Sequence, residues 1–226
     1  MSKKLRKEIK YIISNVDFML LRPFIEAYIS SDQNAENGSY TIRTLYYDNI
    51  DSDDLNDNLI GNEIKKKIRL RHYEGTDKFV LEVKHKIGEN GYKDQFSLTK
   101  EEAKEIVSAN YKCLKAKGDA GFRLYYKMTS EVYRPRSIVV YDRDPYVFTA
   151  DNTRITYDYN IKATKIVSAF FDPEIYSLTP ILEYQLGVLE VKYNDRVIGP
   201  LQEVVSRIAK NAVANSKYTL ARMTEY

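Results

Sequence analysis

The chain has 226 residues, 43% of them hydrophobic, enough to bury a sizeable core, and carries 35 Lys and Arg against 32 Asp and Glu. A net charge of +3 is too small for a generic nucleic-acid coat, so any strong positive field must come from local placement. The lone Cys113 excludes an intramolecular disulfide framework, and no stretch approaches the roughly 18 apolar residues of a membrane span. The start MSKKLRKEIKYII lacks the apolar run of a signal peptide, so the expectation is a soluble cytoplasmic protein, folded as a single domain over residues 1–226.

In chain order, residues 6–13 (RKEIKYII) alternate as a strand. Ser14 or Asn15 then caps a helix carrying Val16, Met19 and Leu20, with Pro23 breaking or restarting it. Residues 39–48 (SYTIRTLYYD) are rich in Tyr and β-branched residues and predict a strand. The stretch Lys65 to Lys86 reads as two strands joined by a turn at 74–77, and 92–98 (YKDQFSL) as another strand. Thr99 opens a helix whose TKEE sequence fits a capping box, and a second helix is predicted over about 119–132. Strands follow at 137–148, 153–159 and 187–194, and a helix from Gly199-Pro200 carries Leu201, Val204, Val205 and Ile208 at core spacing. Strands with interspersed helices, rather than regular βαβ units, point to an α+β domain.

The triplets Glu8-Ile9-Lys10, Glu82-Val83-Lys84 and Glu190-Val191-Lys192 repeat the same Glu-aliphatic-Lys form on three distant strands. Between the first and last of them, Lys67, Arg69 and Arg71 share one face of a strand, as do Glu82, Lys84 and Lys86, while Ile68, Leu70, Leu81 and Val83 take the other. Two arrangements satisfy this alternation. The charged face is either the solvated side of an open antiparallel sheet, or the interior of a sheet curled into a barrel, its apolar alternates covered by the predicted helices. A cation-lined interior would repel itself without a counter-charge, so its content would be a polyanion such as a triphosphate or a phosphate chain. Glu8, Glu82 and Glu190 would repel that anion, but carboxylates can hold Mg²⁺ or Mn²⁺ whose shell phosphate oxygens complete.

The ordered set EIKY, KIRLRHY, LEVKHK, VVYDRDPY, RITYD, LEVKYN and NSKY, from Glu8 to Tyr218, resembles the VTC domain of the triphosphate tunnel metalloenzyme superfamily. The resemblance implies an α+β fold with an antiparallel eight-stranded β-barrel tunnel, its interior charged and its outside covered by peripheral helices. It also implies synthesis of inorganic polyphosphate from ATP with Mn²⁺. The family's phosphate-binding positions fall on Lys10, Arg69, Arg71, Lys84, Lys93, Arg143 and Arg154, its tunnel-facing tyrosine on Tyr141, its metal glutamate on Glu190, and its tunnel-mouth residues on Ser216 and Lys217. Arg69, Arg71, Lys84, Arg143 and Arg154 would hold the reacting triphosphate, and the strand pattern adds Lys86 and Lys192 to the substrate-binding set. Gln95 stands where a basic residue often follows Lys93, and Ala214 where polymerase members can carry another lysine. Hydrolysis of triphosphate or polyphosphate, or non-catalytic sensing of them, would use the same lining. No specific nucleic acid is implied, and association with a membrane partner is left open.

Other features take structural readings. His72 and His85 have the parity of the apolar alternates and are expected to pack under helices, and Cys113 to be a helix core residue. The acidic run at 48–57 lacks the Gly and terminal Glu of a calcium loop and is expected to be a solvated loop. The 20 tyrosines are explained by β-propensity.

Overall fold

The structure, a computed structural model, describes residues 7–32, 35, 38–88, 90–148, 153–193, 203, 205 and 216–224. In chain order these form β1 (Lys7–Ser14), α1 (Asn15–Glu26), β2 (Ser30–Ser31), β3 (Tyr40–Asp48), α2 (Asp53–Leu59), β4 (Ile64–Tyr73), β5 (Phe79–Ile87) and β6 (Asn90–Leu98). There follow α3 (Lys100–Val107), α4 (Gly118–Ser130), β7 (Arg134–Phe148), β8 (Thr153–Thr164), β9 (Thr179–Pro180), β10 (Leu186–Tyr193) and α5 (Lys217–Met223), with 3-10 turns at Lys112–Ala116 and Val167–Phe171. The main path of the ten-stranded sheet has the eight expected strands, in the order β1-β10-β8-β7-β3-β4-β5-β6; the short β2 pairs with β7 and β9 with β8. The pairs β1·β10, β10·β8, β2·β7, β3·β4, β4·β5 and β5·β6 are antiparallel, giving the predicted α+β class. Among the described residues no β1–β6 pairing joins the ends of the path.

The chain forms two compact units. The first draws on Met1–Thr41, Tyr141–Ile161 and Pro180–Ser216, the second on Ile42–Val140, Lys162–Thr179 and Lys217–Tyr226.

In the first unit, Ile9, Val191 and Ile155 lie in register across β1, β10 and β8, as do Tyr11, Leu189 and Tyr157. Helix α1 covers this apolar face: Phe18, Leu21 and Ile25 are buried against Ile13, Ile155, Tyr157, Leu189 and Val191. It starts at Ser14, one of the two predicted caps, whose Oγ accepts the Asp17 amide at 3.0 Å. Contrary to expectation, α1 runs through Pro23. A proline there removes one amide donor, but buried residues on both sides of it hold the helix to the sheet. Val205, from the helix predicted beyond Gly199, is helical and joins this core; Leu201, Val204 and Ile208, with Ala214, lie outside the described residues.

Gly187, opposite Ile13, is kept small by this core. A Cβ there would come within 2.5 Å of the Tyr157 ring, which is fixed by stacking on Phe18 at 3.9 Å and by donating a 2.7 Å hydrogen bond to Asn15 Oδ1. Gly187→Ala is therefore expected to destabilise the protein by about 1–3 kcal/mol. Urea unfolding should show a lower midpoint with an unchanged slope, whereas an unchanged midpoint would mean that Tyr157 can move aside.

In the second unit, Leu45, Leu70, Leu81 and Phe96 share one row across β3 to β6, and Tyr47, Ile68 and Val83 the next. Ala103 and Ile106 of α3 and Leu124 and Met128 of α4 bury against them. The capping box at Thr99 forms in full, with Glu102 N to Thr99 Oγ1 at 3.2 Å and Thr99 N to Glu102 Oε2 at 2.9 Å. His72 stacks on Phe79 and His85 on Tyr92, each at 4.4 Å. Cys113 packs against the core from a 3-10 turn rather than a helix, and burial pushes its thiol pKa up.

The acidic run at 48–57 is not a solvated loop. It contains the start of α2, and Asp48 and Asp54 are both fully buried. Asp48 caps the helix from upstream: its Oδ1 accepts the Asp54 amide and its Oδ2 the Leu55 amide, each at 3.0 Å. Strand β7 begins at Arg134 rather than 137, with Pro135 inside it, and β8 continues to Thr164.

Candidate functional site

The charged alternates of β3 to β6 form the second unit's other face. Lys65 stands opposite Lys86, and Lys67, Lys84 and Lys93 form a row across three strands. Like charges placed directly opposite one another destabilise a sheet, so this arrangement is not explained by stability. The next row is Tyr46, Arg69, Glu82 and Gln95, and beside it lie Thr44 and Arg71.

Glu82, 2% exposed, is the hub of these cations. Its Oε2 lies 2.7 Å from Arg69 Nη2 and 3.7 Å from Arg71 Nη2, and its Oε1 lies 3.5 Å from Lys93 Nζ and accepts a 2.7 Å hydrogen bond from Gln95 Nε2. Burial alone would raise its pKa, but Arg69, Arg71 and Lys93 outweigh burial and bring it down to about 2. The carboxylate therefore stays ionised and serves as the fixed counter-ion of this face. Gln95, read from sequence only as a missing cation, completes its coordination.

Lys217 opens α5 and Ser216 precedes it. The anchor of the SKY segment is its tyrosine. Buried Tyr218 donates to Asp48 Oδ2 at 2.6 Å, accepts from Arg222 Nη1 at 2.9 Å, and stacks on Tyr46 at 5.1 Å. Burial, followed by the charge of Asp48, pushes its pKa well up, so the phenol stays protonated.

The first unit has its own charged face. Glu8 pairs with Lys192 and Lys10 with Glu190 across β1 and β10, and Arg154 and Thr156 continue these rows on β8. Lys10 Nζ lies 3.1 Å from Glu8 and 3.9 Å from Glu190; Lys192 lies 3.7 Å from Glu8 and also meets Glu190. Two carboxylates and two ammonium groups thus alternate like a checkerboard. Arg143 is buried and paired in bidentate fashion with the fully buried Asp158, Nε to Oδ1 at 2.6 Å and Nη2 to Oδ2 at 2.8 Å. Burial disfavours the Arg143 charge, but Asp158 outweighs it. The buried Tyr141 ring lies 5.4 Å from the Arg143 guanidinium carbon, a cation–π contact. Arg154 Nη2 reaches Asp32 at 3.2 Å and the Tyr40 hydroxyl at 3.4 Å.

The predicted residues are thus gathered in two sets. Arg69, Arg71, Lys84, Lys86, Lys93 and Glu82 share a face of the second unit; Lys10, Arg154, Glu190, Lys192 and Glu8 share a face of the first. Among the described residues, no group of three or more His, Cys, Asp or Glu is placed to hold a metal. Glu82 belongs to the arginines, so the expected trio of metal carboxylates narrows to Glu8 and Glu190. Both are hard oxygen donors of the kind a divalent cation takes, and here each is paired with the ammonium groups of Lys10 and Lys192, which a cation would have to displace. Sequence reasoning missed Asp158, whose only signal was an acid within the basic motif RITYD, Asp32, which lies in no such motif, and Tyr218, which belongs to NSKY but was given no role.

Solved structures share this fold. The proposed adenylyl cyclase HpAC1 from Hippeastrum, described as having a dominant triphosphatase activity, is 15% identical with a TM-score of 0.61, over 97% of this chain and 96% of its own. A proposed adenylate cyclase from Bacillus halodurans is 14% identical with a TM-score of 0.54, over 96% of each chain, and the PH1012 protein from Pyrococcus horikoshii is 11% identical with a TM-score of 0.53, over 96% of this chain and 99% of its own. Among curated proteins no match is found. The fold is the one these structures share. The chain belongs to the VTC domain family, whose model matches residues 5–226.

Proposed function

We propose that this chain is a polyphosphate polymerase-like phosphotransferase that moves the γ-phosphate of ATP onto an inorganic polyphosphate chain with Mn²⁺ or Mg²⁺. The observation that carries this reading is the row Lys67, Lys84 and Lys93 beside Arg69 and Arg71, a face whose cations outnumber its one buried carboxylate, Glu82, and which suits a polyanion. Membership of the VTC family supports the same substrate class.

Phosphoryl transfer needs positioning and charge neutralisation more than a protein nucleophile. The terminal oxygen of the chain attacks the γ-phosphorus in line, the bond from that phosphorus to the β,γ-bridging oxygen breaks, and ADP leaves. Arg69, Arg71, Lys84, Arg143 and Arg154 hold the triphosphate oxygens, with Lys86, Lys93, Tyr141, Ser216 and Lys217 as further substrate contacts. Asp158 fixes the plane of Arg143, so that guanidinium is pre-oriented. Lys10 and Lys192 can exchange their carboxylate partners for phosphate oxygens; Glu8 and Glu190 would hold the divalent cation, which would supply Lewis-acid neutralisation of the developing charge. ATP supply fits the cytoplasmic location expected from sequence. Among the described residues no helix is long and apolar enough to cross a membrane.

The triphosphatase activity described for HpAC1 favours a second reading, hydrolysis, in which water replaces the chain terminus. An assay with ATP and Mn²⁺ that follows ADP, free phosphate and chain length together separates the two. ADP with lengthening chains supports the polymerase, free phosphate without chains supports the hydrolase, and binding without either product leaves a sensor.

A further inference from the structure

We infer that Thr44 is a phosphate-binding residue, its hydroxyl and the Nε–H of Arg71 forming one oxyanion subsite on the charged face of the second unit. The inference rests on the polyphosphate reading above. Thr44 and Arg71 are Cα partners across β3 and β4, so their side chains stand side by side on the same face. Thr44 is 0% exposed and Arg71 8%. Thr44 Oγ1 and Arg71 Nε are both buried without a hydrogen-bond partner. Such groups are rare in native proteins, and two on adjacent residues are rarer still.

The neighbouring row shows the contrast. Arg69 donates its Nε to Glu82 at 2.8 Å, whereas Arg71 reaches Glu82 only at 3.7 Å and the Tyr73 hydroxyl at 3.4 Å, leaving its Nε edge free to donate. β-Propensity accounts for a β-branched residue at position 44 but not for its hydroxyl, since valine would serve a buried strand equally well. Nε–H can only donate and the hydroxyl is able to, so what satisfies both is an acceptor. The fixed guanidinium charge selects an anionic oxygen over a neutral one.

The test is titration calorimetry with tripolyphosphate on wild type, Thr44→Val, Thr44→Ser and Arg71→Lys, alongside urea unfolding of each ligand-free protein. Thr44→Val should be as stable as wild type or more so, because it loses no partner. It should nonetheless bind tripolyphosphate about tenfold or more weakly. Thr44→Ser should restore affinity, and Arg71→Lys, which keeps charge but has no donor at the Nε position, should not. Wild-type affinity in Thr44→Val, or a marked loss of its ligand-free stability, would overturn the subsite while leaving the polyphosphate reading intact. Failure of wild type itself to bind would remove that reading and the subsite with it.

Discussion

Replacing Glu82 with Gln should lower the unfolding free energy of the ligand-free protein by about 3–5 kcal/mol at pH 7, the cost of breaking a buried charge cluster by removing one sign. Arg69 and Arg71 would then face each other, with Lys93 beside them, without the carboxylate that now lies between them. The effect has a defined pH window. The folded pKa of Glu82 is depressed from the ordinary 4.5 to about 2, so its stabilisation is fully present above pH ~4.5 and is lost as pH falls towards 2. Urea unfolding of wild type and Glu82→Gln should therefore differ most near neutrality and converge in acid. Tripolyphosphate should stabilise the variant more than wild type, because the ligand supplies the negative charge that the substitution removed. A variant as stable as wild type at pH 7 would show that the arginines need no fixed counter-ion.

The second large effect is functional. Glu190→Gln should cut divalent-dependent turnover by at least about 100-fold, since metal neutralisation of transition-state charge is worth several kcal/mol. Its grip on triphosphate without metal should persist or tighten, because one carboxylate that repels the anion is gone. Direct Mn²⁺ titration is the accompanying measurement, and it should show weakened metal binding in Glu190→Gln and in Glu8→Gln. Wild-type turnover with unchanged Mn²⁺ affinity would remove Glu190 from the metal site.

Much of this was legible in the sequence for one reason: strand side chains alternate, so the parity of Leu70, Val83, Ile155 and Val191 against Arg69, Lys84, Arg154 and Lys192 follows from order alone. The helices that cover the apolar faces were legible from capping chemistry at Ser14 and Thr99. Register was not. Nothing local says that Glu82 meets Gln95 on one side and Arg69 on the other, and a Glu-aliphatic-Lys triplet looks the same whether its acid holds a metal or a guanidinium. Helix α2 was hidden for a related reason. Its cap, Asp48, acts from six and seven residues upstream, beyond the spacing at which a capping motif is recognised. The bidentate Arg143–Asp158 pair spans two strands and leaves no local signal either.

The central claim is that the charged faces read a chain of phosphates rather than a single anion. Calorimetric titration of the wild-type protein with tripolyphosphate and with orthophosphate, repeated at increasing salt, tests it most directly. Several charge-assisted contacts made at once predict that tripolyphosphate binds at least about 100-fold more tightly, each contact to a charged group contributing about 1.5–3 kcal/mol. The binding should survive salt better than an exposed surface patch allows, because Arg71 and Arg143 are buried and therefore poorly screened. Equal affinity for the two anions, or tripolyphosphate binding abolished by moderate salt, would contradict it.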